Sequence, residues 1–349
     1  MVVVALVVAN NSPHGAAQGD TGTVVIRDYR FATGETLREL RLFYRTLGNP
    51  HRDASGVVRN AVLILHGTGG SGSQFLSPSF TELYASGAPL DTSASFIILP
   101  DDIGHGRSSK PSDGLRARFP HYAYQDMVTA EYRLVTEGLH VDHLRLLMGT
   151  SMGCMHAWLW AERYPAFMDG VVPLACLPTQ IAGRNRMLRK MVLDDIRQDP
   201  AWHGGDYSTQ PPGLVTALQI LFIMGSSPAL LQRTAPTRDS ADAFLAHWLA
   251  ERARTTDAND MLYQFDASRD YDPSPGLERI TAPLLAINSA DDVINPPELG
   301  LMERLIARVR GGRYVLVPTS ERTRGHGTHT VAAVWREWFA PFVASLPQR

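Results

Sequence analysis

The segment Leu144-Arg145-Leu146-Leu147-Met148-Gly149-Thr150-Ser151-Met152-Gly153 joins a short apolar run to a helical pattern that continues to Tyr164. Short apolar runs bounded by turn residues are typical of strands buried on both faces of a sheet. Two glycines flank Ser151 in a G-x-S-x-G pattern, so the strand and the helix can approach closely while the serine hydroxyl stays exposed at the turn. The segment therefore predicts a strand, a tight turn and a helix, with Ser151 as a nucleophile.

Similar apolar runs lie on both sides of this segment, and helical patterns separate most of them. The runs cover residues 61–65, 96–99, 170–174, 284–288 and 314–317. Nearer the N-terminus, residues 23–26 and 39–45 predict a hairpin at a sheet edge. Alternating strands and helices are typical of a mostly parallel sheet flanked by helices, so the predicted fold class is α/β.

This alternation stops between about residues 176 and 272, where helical patterns at residues 184–198, 214–224 and 241–254 are interrupted by proline and glycine and no strand is recognisable. Strands resume afterwards, so one sheet is expected to span the insertion. The prediction divides the chain into a leader, residues 1–22, that is signal-like or disordered, a core of residues 23–175 and 273–349, and a helical insertion of residues 176–272. The 349 residues would otherwise suggest about two domains.

The overall charge argues against a nucleic-acid partner. The chain has 33 Lys and Arg against 35 Asp and Glu, a net charge of −2, and no basic block that would neutralise a phosphate backbone. Cys154 and Cys176 are too few for a disulfide framework or a four-cysteine zinc site, and they are expected to be buried free thiols.

An apolar run of eight residues, Val2 to Ala9, begins the chain. A membrane span needs about 20 apolar residues, so no integral span is predicted. The run could form the apolar region of a signal peptide, although the preceding positive charges are missing. Localisation stays open: periplasmic or secreted if the run belongs to a signal peptide, and cytoplasmic otherwise.

A serine hydroxyl needs a general base and an orienting acid, expected downstream in the order acid, then histidine. Asp291 and Asp292 follow the strand at residues 284–288, and either carboxylate is a candidate acid. His326 follows the strand at residues 314–317 with glycine on both sides, which makes it the candidate base. His329 falls at the predicted start of the last helix, where it would support the site without taking part in the reaction.

A glycine-rich stretch, His66-Gly67-Thr68-Gly69-Gly70, follows the strand at residues 61–65. A loop at this place can supply half of an oxyanion hole through the amide of Thr68, and the amide of Met152 would supply the other half. The stretch lacks the Lys-Ser/Thr of a P-loop and the spacing of a dinucleotide-binding loop. No cofactor and no metal are therefore predicted.

Together these motifs resemble the α/β-hydrolase superfamily, and more closely its branch of homoserine O-acetyltransferases and related hydrolases. The resemblance covers most of the chain after about residue 23 and rests on the stretches at residues 42–48, 149–153, 199–207, 292–298 and 325–326. It implies an α/β-hydrolase fold whose helical insertion forms a lid over a site of Ser151, Asp292 and His326. Asp292 is preferred to Asp291 because related folds place the acid four residues before the proline of this turn.

The resemblance also bears on the substrate. Family acyltransferases bind the homoserine carboxylate through an arginine of the lid, and Arg189 lies at the matching offset. They carry an aspartate directly after the catalytic histidine to hold the amino group, whereas this chain has Gly327. An amino-acid acceptor would therefore lose one of its charge contacts.

The leading functional hypothesis is a serine hydrolase that acts on a small-molecule ester or related acyl compound. The alternative is an acyltransferase in which an alcohol acceptor replaces water at the same acyl-enzyme. A non-catalytic binding module is a third class, but every catalytic position carries a competent residue, which argues against it. Besides the acyl substrate, a second copy of the chain in a homodimer is the partner left open.

Overall fold

One mixed sheet runs through the computed structural model, which describes residues 4–8 and 19–347. Within these residues the sheet has nine strands in the order β1-β2-β3-β5-β4-β6-β7-β8-β9. The strands are β1 (Val4–Val8), β2 (Thr21–Arg30), β3 (Thr36–Leu47), β4 (Ala61–Leu65), β5 (Phe96–Pro100), β6 (Leu146–Thr150), β7 (Val171–Leu174), β8 (Leu284–Ser289) and β9 (Gly312–Val317).

The strands from β4 to β9 all pair in parallel, whereas β1, β2 and β3 form an antiparallel edge. β7 and β8 are neighbours although more than a hundred residues separate them, so one sheet spans the helical insertion. Every residue of β4, β5, β6 and β7 is buried, as expected for strands covered on both faces. The predicted fold class, α/β with a mostly parallel sheet, is confirmed.

Helices cover both faces of the sheet. They are α1 (Pro78–Thr81), α2 (Tyr124–Arg133), α3 (Met152–Arg163), α4 (Gly183–Arg197), α5 (Gly213–Gly225), α6 (Pro228–Thr234), α7 (Arg238–Thr255), α8 (Ala258–Asp266), α9 (Leu301–Ile306) and α10 (Ala332–Ser345). Side chains alternate between two cores along each central strand: Leu63 packs on the side of α2 and α3, and Val62 on the side of α10. Helices α4 to α8 come from the predicted insertion.

Part of the N-terminal apolar run has a place in the sheet. Val4–Val8, which the sequence alone places in a signal-like or disordered leader, pair antiparallel with β2 as the edge strand β1. A run so rich in valine has a high propensity for a strand, and the exposed edge of β2 offers it a partner. Residues 1–3 and 9–18 of the predicted leader lie outside the described residues.

Among the described helices, none is by itself both long enough and apolar enough to cross a membrane. Helices α5 and α6 meet the length and composition requirement only when they are taken together, and the chain bends by 105° between them.

The prediction of two free thiols is wrong, because Cys154 and Cys176 form a disulfide. Both residues are buried, as predicted. Cys154 lies in the first turn of α3, and Cys176 follows the carboxyl end of β7, the strand next to β6. This proximity arises from strand order, which the spacing of the two cysteines in the sequence does not reveal. The bond ties the helix that follows Ser151 to the start of the helical insertion.

Candidate active site

Ser151 occupies the turn between β6 and α3 in a backbone conformation that few residues adopt, with φ 54° and ψ −107°. Side chains at either flanking glycine would collide with the backbone: a Cβ on Gly149 with the carbonyl of Gly153, and a Cβ on Gly153 with the carbonyl of Leu65. The N–H of Ser151 donates to the carbonyl of Leu174 at 2.9 Å. These close approaches hold the strained turn and leave the serine hydroxyl at the carboxyl edge of the sheet.

His326 and Asp292 lie in line with this hydroxyl. The distance from Ser151 Oγ to His326 Nε2 is 2.8 Å, and His326 Nδ1 lies 2.8 Å from Asp292 Oδ2. Since an ionised carboxylate only accepts hydrogen bonds, Nδ1 carries the imidazole proton and Nε2 is free to accept the proton of the serine. The structure thus brings together the three residues that the sequence proposed for catalysis.

Asp292 is almost completely buried, with 1% of its surface exposed. Burial by itself would raise the pKa of this carboxyl. The positive potential of His326 and the hydrogen bonds from His326, Asn295 and the backbone of Ile294 outweigh burial, so the pKa lies below its usual value. Asp292 therefore stays ionised beside the imidazole. Asn295 is a supporting residue that the sequence did not reveal.

The rival carboxylate, Asp291, does not reach the imidazole. It accepts hydrogen bonds from Ser289, from the backbone of Gly325 and from Ser227. The two neighbouring carboxylates thus have different partners, and Asp292 is the one that contacts the imidazole of His326.

The loop of Gly67 and Thr68 lies beside the serine, since a Cβ built on Gly67 would be 3.3 Å from Cβ of Ser151. Met152 is the first residue of α3, where backbone N–H groups lack partners within the helix. Over residues 4–8 and 19–347, the N–H groups of Thr68 and Met152 donate to no protein acceptor. Both predicted oxyanion donors are therefore available to a ligand next to Ser151.

His66 fixes the same loop. Its ring lies between the backbone N–H of Asp102, which donates to Nε2 at 3.0 Å, and the carbonyl of Gly67, which is 2.9 Å from Nδ1. Its own carbonyl accepts the N–H of Gly153 at 2.9 Å. The loop is thereby attached both to the end of β5 and to the helix that follows the serine.

Arg189 of α4 is a buried cation near the serine, with 5% of its surface exposed. Its Nε donates to Asn185 at 3.0 Å, its Nη1 donates to Ser268 at 3.1 Å, and the guanidinium lies 5.5 Å from the centre of the Phe265 ring. In the part of the chain that the structure describes, no carboxylate forms an ion pair with it. A buried arginine without a counter-ion is an electrostatic cost that an anionic ligand would remove.

Two cavities meet at Ser151, and Arg189 and His326 line both of them. The larger, about 270 Å³, has mostly apolar walls with the disulfide-bonded Cys176 among them. The smaller, about 150 Å³, lies toward Thr68 and helix α5. A substrate could therefore place one part on each side of the serine.

His329 lies beside His326, with 5.3 Å between the ring centres. Burial, and to a smaller extent the potential of His326, lowers the pKa of His329 to about 3. His329 is thus neutral at physiological pH and adds no charge beside His326.

A second buried cluster, which the sequence did not reveal, consists of Asp102, Glu131 and His156, whose ligand atoms lie within 4.8 Å of one another. Burial raises the pKa of Asp102 well above its usual value and that of Glu131 to about 7, and it lowers the pKa of His156 to about 4. His156 Nδ1 is 2.6 Å from Glu131 Oε1, closer than two ligands of one zinc ion, which are about 3.3 Å apart in a tetrahedral site. The contact has the length of a hydrogen bond, so these two side chains share a proton and, as placed, lie too close together to be two ligands of one zinc ion.

Comparison with known proteins gives a consistent picture. A family model described as "alpha/beta hydrolase fold" matches residues 60–320. The homoserine O-acetyltransferase of Thermobifida fusca is 30% identical over 334 residues, which cover 84% of this chain and 85% of that protein. A probable acyltransferase of Methanothermobacter thermautotrophicus is 29% identical over 281 residues, which cover 78% of this chain and 83% of that protein.

Solved structures show the same fold. The homoserine O-acetyltransferase of Bacillus anthracis superposes with a TM-score of 0.81 at 20% identity, over 95% of this chain and 99% of the other. Esterase E22 superposes with a TM-score of 0.79 at 20% identity, over 93% of this chain and 100% of the other. One fold thus carries both an acyltransferase and an esterase among these proteins.

Proposed function

Because the chain belongs to the α/β-hydrolase family, within the branch of the homoserine O-acetyltransferases that its motifs predicted, we propose that it is a serine hydrolase. It would cleave an ester or a related acyl compound through an acyl-enzyme on Ser151. The observation that carries the proposal is the pair of 2.8 Å contacts that link Ser151 to His326 and His326 to Asp292. This arrangement supplies a nucleophile, a base and an orienting acid in series.

In the proposed mechanism, His326 Nε2 takes the proton of Ser151 as Oγ attacks the substrate carbonyl. Asp292 holds the imidazole in the tautomer that leaves Nε2 free, and it stabilises the imidazolium that forms. The N–H groups of Thr68 and Met152 bind the oxyanion, where one donor is worth about 10² to 10³ in rate. His326 then protonates the leaving alcohol. It next takes a proton from the water that attacks the acyl-enzyme, and it gives this proton to Ser151 Oγ as the bond to the acyl group breaks and the acid leaves.

The substrate that we propose carries a carboxylate. Arg189 lines both cavities at Ser151 and already has two neutral partners, so its remaining N–H groups are suited to a carboxylate of the substrate. The apolar walls of the larger cavity suit an uncharged remainder of the molecule. Gly327, directly after His326, offers no side chain that would hold an amino group.

An acyltransferase is the second candidate, because the named relatives include a homoserine O-acetyltransferase and a probable acyltransferase. In that case an alcohol would occupy the place of water in the second step. Incubation with acetyl-CoA and hydroxy acceptors, homoserine among them, followed by mass spectrometry of the products, separates the two activities. Formation of an acetylated acceptor favours the transferase, whereas free acetate alone favours the hydrolase.

The hydrolase proposal is tested with fluorophosphonate labelling and with short p-nitrophenyl esters. Ser151→Ala should abolish labelling and lower kcat by a factor on the order of 10⁶. Ser73→Ala is the matched control, because Ser73 is an exposed serine that does not line the cavities at Ser151. Labelling that persists in Ser151→Ala would overturn the assignment of the nucleophile.

A further inference from the structure

The carboxylate of Asp291 joins three separate parts of the chain. Its Oδ1 accepts a hydrogen bond from the hydroxyl of Ser289, at the end of β8, at 2.6 Å. Its Oδ2 accepts the backbone N–H of Gly325 at 2.9 Å and the hydroxyl of Ser227 at 3.3 Å. Gly325 directly precedes His326, and Ser227 is a buried residue at the start of helix α6 in the insertion. Asp291 thus connects the sheet, the His326 loop and the insertion.

His326 needs such an anchor, because it stands on a loop and not on a strand or a long helix. Strand β9 ends at Val317, nine residues earlier, and only a short 3-10 helix, Gly327–Thr330, follows His326. The N–H groups of residues 324 and 327 donate to acceptors within the same loop. Within the described residues, the bond from Gly325 to Asp291 is therefore the backbone hydrogen bond that attaches residues 324–327 to another part of the chain.

Gly325 is also confined by packing. Its φ of +60° favours glycine, and a Cβ on it would lie 3.0 Å from the carbonyl oxygen of Ser226 and 3.3 Å from that of Asp291. The residue is wedged between the insertion on one side and the turn after β8 on the other. A second contact between the same parts comes from helix α6, where Arg233 donates to the carbonyl of Glu321 at 3.1 Å.

We propose that Asp291 is a positioning residue that holds the His326 loop against the insertion, so that the imidazole faces Ser151. The inference rests on the proposed function, which makes His326 the base. Asp291 acts through its hydrogen bonds and not through its charge, since no hydrogen bond or ion pair joins it to the imidazole in residues 4–8 and 19–347. A displacement of about 1 Å at a reacting group can cost about 100-fold in rate, so the loss of the anchor should be measurable.

Two substitutions at Asp291 separate anchoring from charge. Asp291→Ala removes all three hydrogen bonds and should lower kcat/KM for p-nitrophenyl acetate, and the rate of fluorophosphonate labelling, by about 10- to 100-fold. Asp291→Asn keeps an oxygen for Gly325 and Ser227, while its amide can donate to Ser289. Asp291→Asn should therefore stay within about threefold of the wild-type rates. Circular dichroism and thermal melts confirm that each variant is folded.

The comparison of Asp291→Asn with Asp291→Ala decides whether the hydrogen bonds or the charge of Asp291 matter. A loss in Asp291→Ala that Asp291→Asn restores supports positioning. Equal losses of activity in both variants would show that the charge of Asp291 is needed. Rates within twofold of wild type in Asp291→Ala would show that Asp291 does not anchor the loop. Either result overturns the inference. If Asp291→Ala does not fold, Gly325→Ala tests the same anchor. The Cβ added at residue 325 would press against the carbonyl oxygen of Ser226 and displace the N–H that donates to Asp291. A wild-type rate in Gly325→Ala would count against the proposal.

These measurements also distinguish the inference from the function on which it rests. If the wild-type protein is not labelled at Ser151, the proposed hydrolase mechanism fails. If the wild-type protein is labelled and Asp292→Asn abolishes turnover, but Asp291→Ala behaves as wild type, only the positioning role fails.

Discussion

Reduction of the disulfide between Cys154 and Cys176 should lower the stability of the protein without disabling the serine. The bond closes a loop across 22 positions of the chain. In the chain-entropy model, closing a loop of this length lowers the entropy of the unfolded state by about 11 cal/mol/K, which stabilises the native state by about 3 kcal/mol at 25 °C. For a chain of 349 residues that unfolds as one unit, this corresponds to about 5 °C in the melting temperature.

The assay is a pair of thermal melts, one of the oxidised protein and one of protein that was unfolded in a thiol reductant and refolded in its presence. Unfolding is needed because neither cysteine is more than 2% exposed. The double variant Cys154→Ala/Cys176→Ala is the control, and its melting temperature should not respond to reductant. Two free thiols per chain in the oxidised protein, or a reduced protein that melts within about 1 °C of it, would refute the reasoning.

Activity should survive this reduction, because the turn at Ser151 is held independently by the packing of its glycines. Fluorophosphonate labelling at 25 °C should therefore proceed within about twofold of the oxidised rate. A loss of labelling in folded, reduced protein would show that the disulfide itself positions the nucleophile.

Three further outcomes follow from the structure. Gly153→Ala should destabilise the fold by about 1 to 3 kcal/mol in chemical denaturation, because the added methyl group meets the carbonyl of Leu65. Arg189→Met should raise KM by about 10-fold or more for an ester that carries a carboxylate and leave a neutral ester unchanged, as steady-state kinetics would show. Burial raises the pKa of Glu131 to about 7 in the folded protein, compared with about 4.5 in the unfolded chain. The protonated carboxyl therefore contributes fully to stability below pH 4.5, and this contribution is lost as the pH rises through 7. Glu131→Gln should flatten that part of the pH profile of unfolding.

The central elements of the fold could be predicted because their signals are local. The apolar runs correspond to strands β4 to β9, and the helical patterns in the insertion correspond to α4, α5 and α7. Helices α6 and α8 were not recognised. α6 has only seven residues, and nearly all of α8 is buried, with Asn259, Asp260 and Gln264 among its buried residues. Both helices are shorter than the windows of about 11 to 18 residues in which a helical pattern is recognised.

The features that the sequence did not reveal depend on contacts between distant segments. Nothing near Cys154 indicates that Cys176 lies beside it, because that contact follows from the order of strands in the sheet. The cluster of Asp102, Glu131 and His156 likewise gathers side chains from the end of β5, from α2 and from α3. Each of these residues has an ordinary local context, so only the folded arrangement makes its environment unusual.

The two adjacent carboxylates after β8 show where local reasoning stops. A strand end followed by Asp291 and Asp292 predicts an acid facing the site, but it cannot choose between neighbours whose side chains point in different directions. From the sequence alone, the aspartate that does not serve as the acid would be expected to be solvated or to cap a helix. In the structure that aspartate holds the backbone next to His326, while the other meets the imidazole. A histidine on a loop needs both an acid for its ring and an anchor for its backbone, and two successive residues at one strand end can provide these because their side chains diverge.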